Sequence, residues 1–209
     1  MTATLEIQAA AALFDMDGTL VDSTAVVETL WRQFCQEYDV DRDALLAFAH
    51  GRPTRQTLER FLPERSAEER EAVAVDLEGR ELDTLDGIVE IPGARALLET
   101  IEVPWAVVTS APRDLAVRRL DAAGLPVPEV LVPADEITRG KPAPDGYLHA
   151  AQRLGVEAGD CVVLEDADPG VLAGLASGAR VVVVGDLESD ATAGLTRVPD
   201  LTGVAVRPG

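Results

Sequence analysis

The sequence predicts an α/β fold: an open, doubly wound parallel sheet of Rossmann-like type carrying an inserted all-helical cap. Short Val-rich runs, apolar on both faces, alternate with amphipathic segments through most of the 209 residues, as in a parallel sheet covered by helices on each side. Between Asp22 and about Glu90 those runs disappear and helical periodicity replaces them. Hydrophobic residues make up 47% of the chain and aromatics only 4%, so the core must be built from Val strands packed on Ala- and Leu-rich helices.

The first strand is Ala11–Phe14, which ends the apolar run from Ala9. Asp22 and Ser23 follow as candidate caps for a helix that opens at Thr24. Val26, Val27, Leu30, Trp31, Phe34 and Tyr38 recur at helical spacing and define a single apolar face. Leu45, Leu46 and Phe48 indicate a second helix, and Leu58, Phe61 and Leu62 a third. Ser66-Ala67-Glu68-Glu69 has the form of a capping box and opens a fourth, which runs through Val73 and Leu77 to about Leu82.

These four helices define a cap over residues 22–89, inserted into a core of residues 1–21 and 90–209. Its two connections, near Val21–Ser23 and Val89–Gly93, come together if the insertion folds on itself, and a hinge at such a neck lets the cap move over a site. Beyond Pro92 the strands are Trp105–Thr109, Val130–Val132, Cys161–Leu164 and Arg180–Val184, with a last one at Val204–Val206. Gly124 and Gly155 follow amphipathic segments as helix C-caps. Asp168-Pro169 opens a further helix as cap and first-turn proline, and Gly178 closes it.

Charge narrows the possible partners. Eighteen basic residues against 37 acidic ones leave a net charge of −19, which opposes binding to a nucleic-acid backbone. An anionic substrate then needs a locally placed cation. Cys35 and Cys161 lie in apolar patterns without ligand-like spacing and read as buried thiols. No stretch reaches the roughly 18 consecutive apolar residues of a membrane span, and the start MTATLEIQ lacks a basic leader. A cytoplasmic protein without a membrane partner is expected, and its oligomeric state is left open.

In open parallel sheets, ligands bind outside the carboxyl ends of the strands. Those ends hold Asp15, Asp17, Thr109, Glu165 and Asp166. Asp15 and Asp17 stand in DMDGTLVD, where Gly18 lets the backbone turn sharply after the strand. Two carboxylates so spaced suit chemistry on phosphate: one attacks or holds a metal while the other handles a proton. Taken singly, Thr109 is a strand-end hydroxyl, Lys141 a turn lysine and Glu165-Asp166 a helix cap. Their joint order along the chain gives them weight.

DMDGTLVD resembles the first signature of the haloacid dehalogenase superfamily, and three later segments fall where that family has its others. Val107-Val108-Thr109-Ser110 is an apolar strand ending in hydroxyls, Gly140-Lys141-Pro142 places a lysine in a turn, and Val163-Leu164-Glu165-Asp166 ends a strand in paired acids. The resemblance implies a phosphatase with catalytic Asp15, Asp17, Thr109 and Lys141. Asp15 is then the nucleophile that forms an aspartyl-phosphate, and Asp17 the acid and base. Thr109, with Ser110, contacts the phosphoryl oxygens, and Lys141 balances their charge. It further implies Mg²⁺ held by Asp15, the backbone carbonyl of Asp17 and Asp166 directly, with Glu165 bound directly or through water.

Sugar and glycerol phosphatases of the superfamily carry a His-Gly turn in the cap loop, and His50-Gly51-Arg52-Pro53-Thr54 is similar. His50, Gly51, Arg52 and Thr54 are therefore candidate substrate contacts for a small phosphorylated sugar or polyol. The alternative is a mutase resembling β-phosphoglucomutase. Those enzymes have a histidine twelve positions after the nucleophile, where this chain has Val27.

Overall fold

The computed structural model describes residues 5–49 and 51–209. Its strands are β1 (Leu5–Ala9), β2 (Ala11–Phe14), β3 (Val21–Asp22), β4 (Val89–Glu90), β5 (Trp105–Val108), β6 (Val130–Val132), β7 (Cys161–Glu165), β8 (Arg180–Val184), β9 (Thr196–Val198) and β10 (Val204–Pro208). Its helices are α1 (Thr24–Tyr38), α2 (Arg42–Ala49), α3 (Thr54–Phe61), α4 (Ala67–Asp83), α5 (Ala94–Thr100), α6 (Arg113–Ala122), α7 (Asp145–Leu154) and α8 (Asp168–Ala176).

Six strands form one sheet in the order β6-β5-β2-β7-β8-β9, with every neighbouring pair parallel. β2, β5, β6 and β7 bury nearly every residue, as sheets covered on both faces require. On one face Phe14, Val107 and Leu164 pack with α5 and α6 residues such as Leu97 and Leu115. On the other, Leu13, Val108 and Val163 pack with Tyr147 and Ala150 of α7 and Val171 of α8. This doubly wound arrangement is the one expected.

Helices α1 to α4 gather round a cluster of their own that includes Trp31, Phe34, Leu45, Leu58 and Leu77. Trp31 meets Phe34 edge-on at 5.4 Å, and Phe34 stacks on Tyr38 at 4.7 Å. The capping box forms as expected: Glu69 N donates to Ser66 Oγ at 3.2 Å, and Ser66 N donates to Glu69 Oε2 at 2.8 Å. The chain enters and leaves these helices through β3 and β4, which pair antiparallel with Val21 opposite Glu90.

Several details differ from expectation. The last strand, β10, does not extend the main sheet; it pairs in parallel with β1, a strand not anticipated. Ser23 precedes α1 but makes no capping bond; its hydroxyl donates to Asp17 Oδ1 at 2.6 Å. The cap is supplied by Asp22, whose Oδ1 accepts from Thr24 N at 3.1 Å. Asp168 is the first residue of α8 rather than its cap, and its carboxylate accepts a hydrogen bond from Ser189 Oγ.

Candidate active site

The centre of the site is the carboxyl end of β2. Asp15 follows Phe14 directly, and its backbone N–H donates to Leu164 O of β7 at 3.0 Å, so the two strand ends are locked together. The chain then reverses: Leu20 N and Val21 N both reach Met16 O at 2.9 Å, and Gly18 N reaches Val21 O at 2.7 Å. Gly18 has φ +91°, and a Cβ there would stand 2.0 Å from Asp166 Oδ2. The turn thus needs glycine for its backbone angle and for its approach to the second acid cluster.

Asp15, Glu165 and Asp166 offer carboxylate oxygens that all lie within 4.8 Å of one another. Lys141, in the loop before α7, sends its buried ammonium to Asp15 Oδ1 and to Glu165 Oε1, the latter at 2.6 Å. Glu165, 1% exposed, is saturated. Its Oε1 also accepts from Tyr147 Oη at 2.9 Å, and its Oε2 accepts from the backbone N–H groups of Asp166 and Ala167 at 2.9 and 3.1 Å. Asp166 has one side-chain partner, the buried Thr19 hydroxyl, at 3.2 Å.

Three clustered carboxylates, two of them buried and paired with the one Lys141 ammonium, leave excess negative charge. Burial pushes the Asp15 carboxyl well above its usual range; Lys141 opposes this, and Glu165 and Asp166 add to it. Burial and the neighbouring Glu165 raise Asp166 to about 8. Burial disfavours the Lys141 charge, but Asp15 and Glu165 outweigh it and hold the lysine well above its ordinary value. Hard oxygen donors in this number, short of positive charge, fit a divalent cation of the Mg²⁺ type.

The carboxylate of Asp17 is engaged elsewhere. Oδ1 accepts from Ser23 Oγ, and Oδ2 accepts from Arg119 Nη1 of α6 at 2.9 Å. At the end of β5, Thr109 is buried, and its Oγ1 accepts from Ala111 N at 3.0 Å. Among the described residues its own proton goes to no protein acceptor, which leaves it available to a ligand oxygen. Ser110 Oγ donates to Gly51 O at 3.3 Å, so the turn between α2 and α3 is bonded to the core. Gly51 has φ +70°, and a Cβ there would lie 2.6 Å from Ala167 Cβ. Pro53, Thr109, Ser110, Gly140 and Lys141 line one cavity beside the acid cluster.

Four of the residues singled out in the sequence therefore meet directly: Asp15, Lys141, Glu165 and Asp166. Thr109 and Ser110 line the adjoining cavity, with Gly51 against Ser110. Arg52 lies with its guanidinium over the Phe48 ring, 4.5 Å from the centroid, and Thr54 opens α3. His50 lies outside the described residues. Sequence reasoning missed Thr19, Tyr147, Arg119 and Glu81. Tyr147 sits six residues after Lys141, in the first turn of α7, whereas Arg119 carries no local signal that distinguishes it from Arg118.

Residues 9–178 match the haloacid dehalogenase-like hydrolase family. The chain belongs to the haloacid dehalogenase-like hydrolases. Among the relatives of this haloacid dehalogenase-like hydrolase, hexitol phosphatase A of Escherichia coli is 44% identical over 175 residues, covering 82% of this chain and 81% of that one. The 2-deoxyglucose-6-phosphate phosphatase 1 of Saccharomyces cerevisiae is 33% identical over 197 residues, covering 85% and 80%. The crystal structure of a β-phosphoglucomutase from Clostridium difficile superposes with a TM-score of 0.81 at 22% identity over 93% of this chain and 92% of that one, a likeness of fold. Among the described residues of this hydrolase, no helix is long and apolar enough to cross a membrane.

Proposed function

We propose that this hydrolase is a Mg²⁺-dependent phosphatase that cleaves small sugar or polyol phosphates through an aspartyl-phosphate on Asp15. The observation that carries the reading is the cluster of Asp15, Glu165 and Asp166, two of which pair with the single ammonium of Lys141. The hexitol and deoxyglucose phosphatases to which the chain is similar support the substrate class.

A carboxylate oxygen of Asp15 attacks phosphorus while the bond to the substrate's alkoxide breaks, and Asp17 gives that alkoxide its proton. Water then attacks the phosphoryl group, Asp17 takes the water's proton, and the acyl-phosphate bond to Asp15 breaks to release inorganic phosphate. Thr109 donates its free hydroxyl proton to a phosphoryl oxygen, and Lys141 balances the charge that develops there. Asp15, Asp166 and the Asp17 carbonyl would hold Mg²⁺, which would supply the positive charge that lets a phosphate dianion approach a carboxylate. The four hydrogen bonds of Glu165 leave its oxygens committed to Lys141, Tyr147 and the 166–167 backbone. This favours Asp166 as the direct ligand and gives Glu165 the task of holding Lys141 in place.

Residues 22–89 act as the cap. The Gly51–Thr54 turn, bonded to Ser110 and set against Ala167, closes the site to large substrates and contacts the sugar or polyol. A phosphate-release screen over hexose, polyol, glycerol and nucleotide monophosphates, with and without Mg²⁺, tests the reading. Sugar or polyol phosphates should lead, activity should require the metal, and Asp15→Asn should lose roughly 10³-fold or more in kcat while its circular dichroism stays native. Interconversion of sugar phosphates without phosphate release would overturn the hydrolytic assignment in favour of a mutase.

A further inference from the structure

One charge network, centred on the buried Arg119, lies beside the site and meets the chemistry above only through Asp17. Arg119 of α6 is 4% exposed. Its Nη1 donates to Asp17 Oδ2 at 2.9 Å, and its Nη2 donates to Glu81 Oε2, on α4 of the helical insertion, at 3.3 Å. Its Nε is buried without a partner among the described residues. Asp17 receives its second bond from Ser23 Oγ, just ahead of α1. The side chain of Asp17 is therefore aimed by two donors, one from the core and one from the root of the insertion, while Glu81 anchors the core donor from α4.

Building on the phosphatase reading, we propose that Arg119 is the positioning residue for Asp17, and that Glu81 fixes Arg119 so that the aim of Asp17 depends on where α4 sits. The physical case rests on burial and geometry. A buried guanidinium is costly without carboxylate partners, and this one has two, from different parts of the molecule. Its planar fork fixes direction where a single ammonium would not. A group that must hand a proton to one oxygen and take one from another within hydrogen-bond reach loses rate steeply when it is misdirected. Arg119 touches neither Asp15 nor Lys141 and acts only through Asp17.

The experiment compares two phosphate esters on the Mg²⁺-loaded protein. A hexitol monophosphate has a poor leaving group that needs the proton of Asp17; 2,4-dinitrophenyl phosphate has a good one that does not, and its first turnover is read by stopped flow as dinitrophenolate release. Arg119→Met should lower kcat on the hexitol ester about tenfold to a hundredfold with KM little changed, while first-turnover dinitrophenolate release stays within about twofold. Arg119→Lys should recover part of the loss. Glu81→Gln should lose in the same direction by less, and the double variant should be no worse than Arg119→Met, as coupled sites demand.

Equal losses on both esters, an unaffected Arg119→Met, or fully additive losses would overturn the inference. If Arg119→Met does not fold, Glu81→Gln decides by the same selectivity: a loss confined to the hexitol ester supports the chain of contacts, and an even loss or none refutes it. Inactivity of the unmodified protein on both esters would instead sink the phosphatase reading itself.

Discussion

At the scale of single residues the site depends on Glu165, which bonds to groups from two other parts of the chain. One oxygen takes Lys141 and Tyr147; the other takes the two backbone donors that begin the turn into α8. Gly170 makes room for it, since a Cβ there would lie 1.5 Å from Glu165 Oε1. Tyr147→Phe removes one of these donors from a fully buried carboxylate. It should cost about 1–2 kcal/mol of stability, read from urea denaturation. Glu81 offers a second test. Burial lifts its carboxyl to about 7; Arg119 offsets the shift, while Asp17 and Glu78 add to it. A pKa raised above the unfolded value means that the folded state holds the proton more tightly. Stability tied to this group is therefore full below about 4.5 and is lost as pH rises toward 7. Glu81→Gln carries no such loss, so thermal melts at pH 5 and pH 8 should show the variant gaining on the wild type at the higher pH.

At the scale of elements, the turn between α2 and α3 is the contact between insertion and core that is most open to test. Gly51 combines a left-handed backbone with an approach to Ala167 too close for a Cβ. Gly51→Ala should cost about 1 kcal/mol from the backbone alone. It should also push the turn off Ser110, with a several-fold rise in KM for the best sugar phosphate in steady-state assays. The strands that carry the site were legible in the sequence because a strand buried on both faces must be apolar throughout, as Cys161–Leu164 and Val130–Val132 are. β3 and β4 are two residues each and have no period to read, and β1 and β9 mix polar and apolar positions because only one side is covered. The acid cluster was legible for a different reason: its members sit at strand ends. Arg119 was not, because its meaning arises only from packing against a residue 102 positions away, and Ser23 was misread as a cap because the tertiary partner Asp17 outcompetes the helix N-terminus.

At the scale of the whole molecule, a chain of net charge −19 concentrates uncompensated acid where the sheet ends. Any divalent ion that relieves it binds the folded state alone and stabilises it by mass action. Mg²⁺ at about a hundred times its dissociation constant should add roughly 2.7 kcal/mol, seen as a rise of several degrees in Tm. Asp166→Asn should abolish most of that rise without abolishing folding. The pairing of β1 with β10 bears on synthesis. Leu5 lies beside Val204 and Ala9 beside Pro208, so β1 gains its strand partner only after some two hundred further residues of this chain have been made. Without β10 the backbone amides of β1 have no strand partner, so a chain cut short of residue 204 exposes a ready template for aggregation.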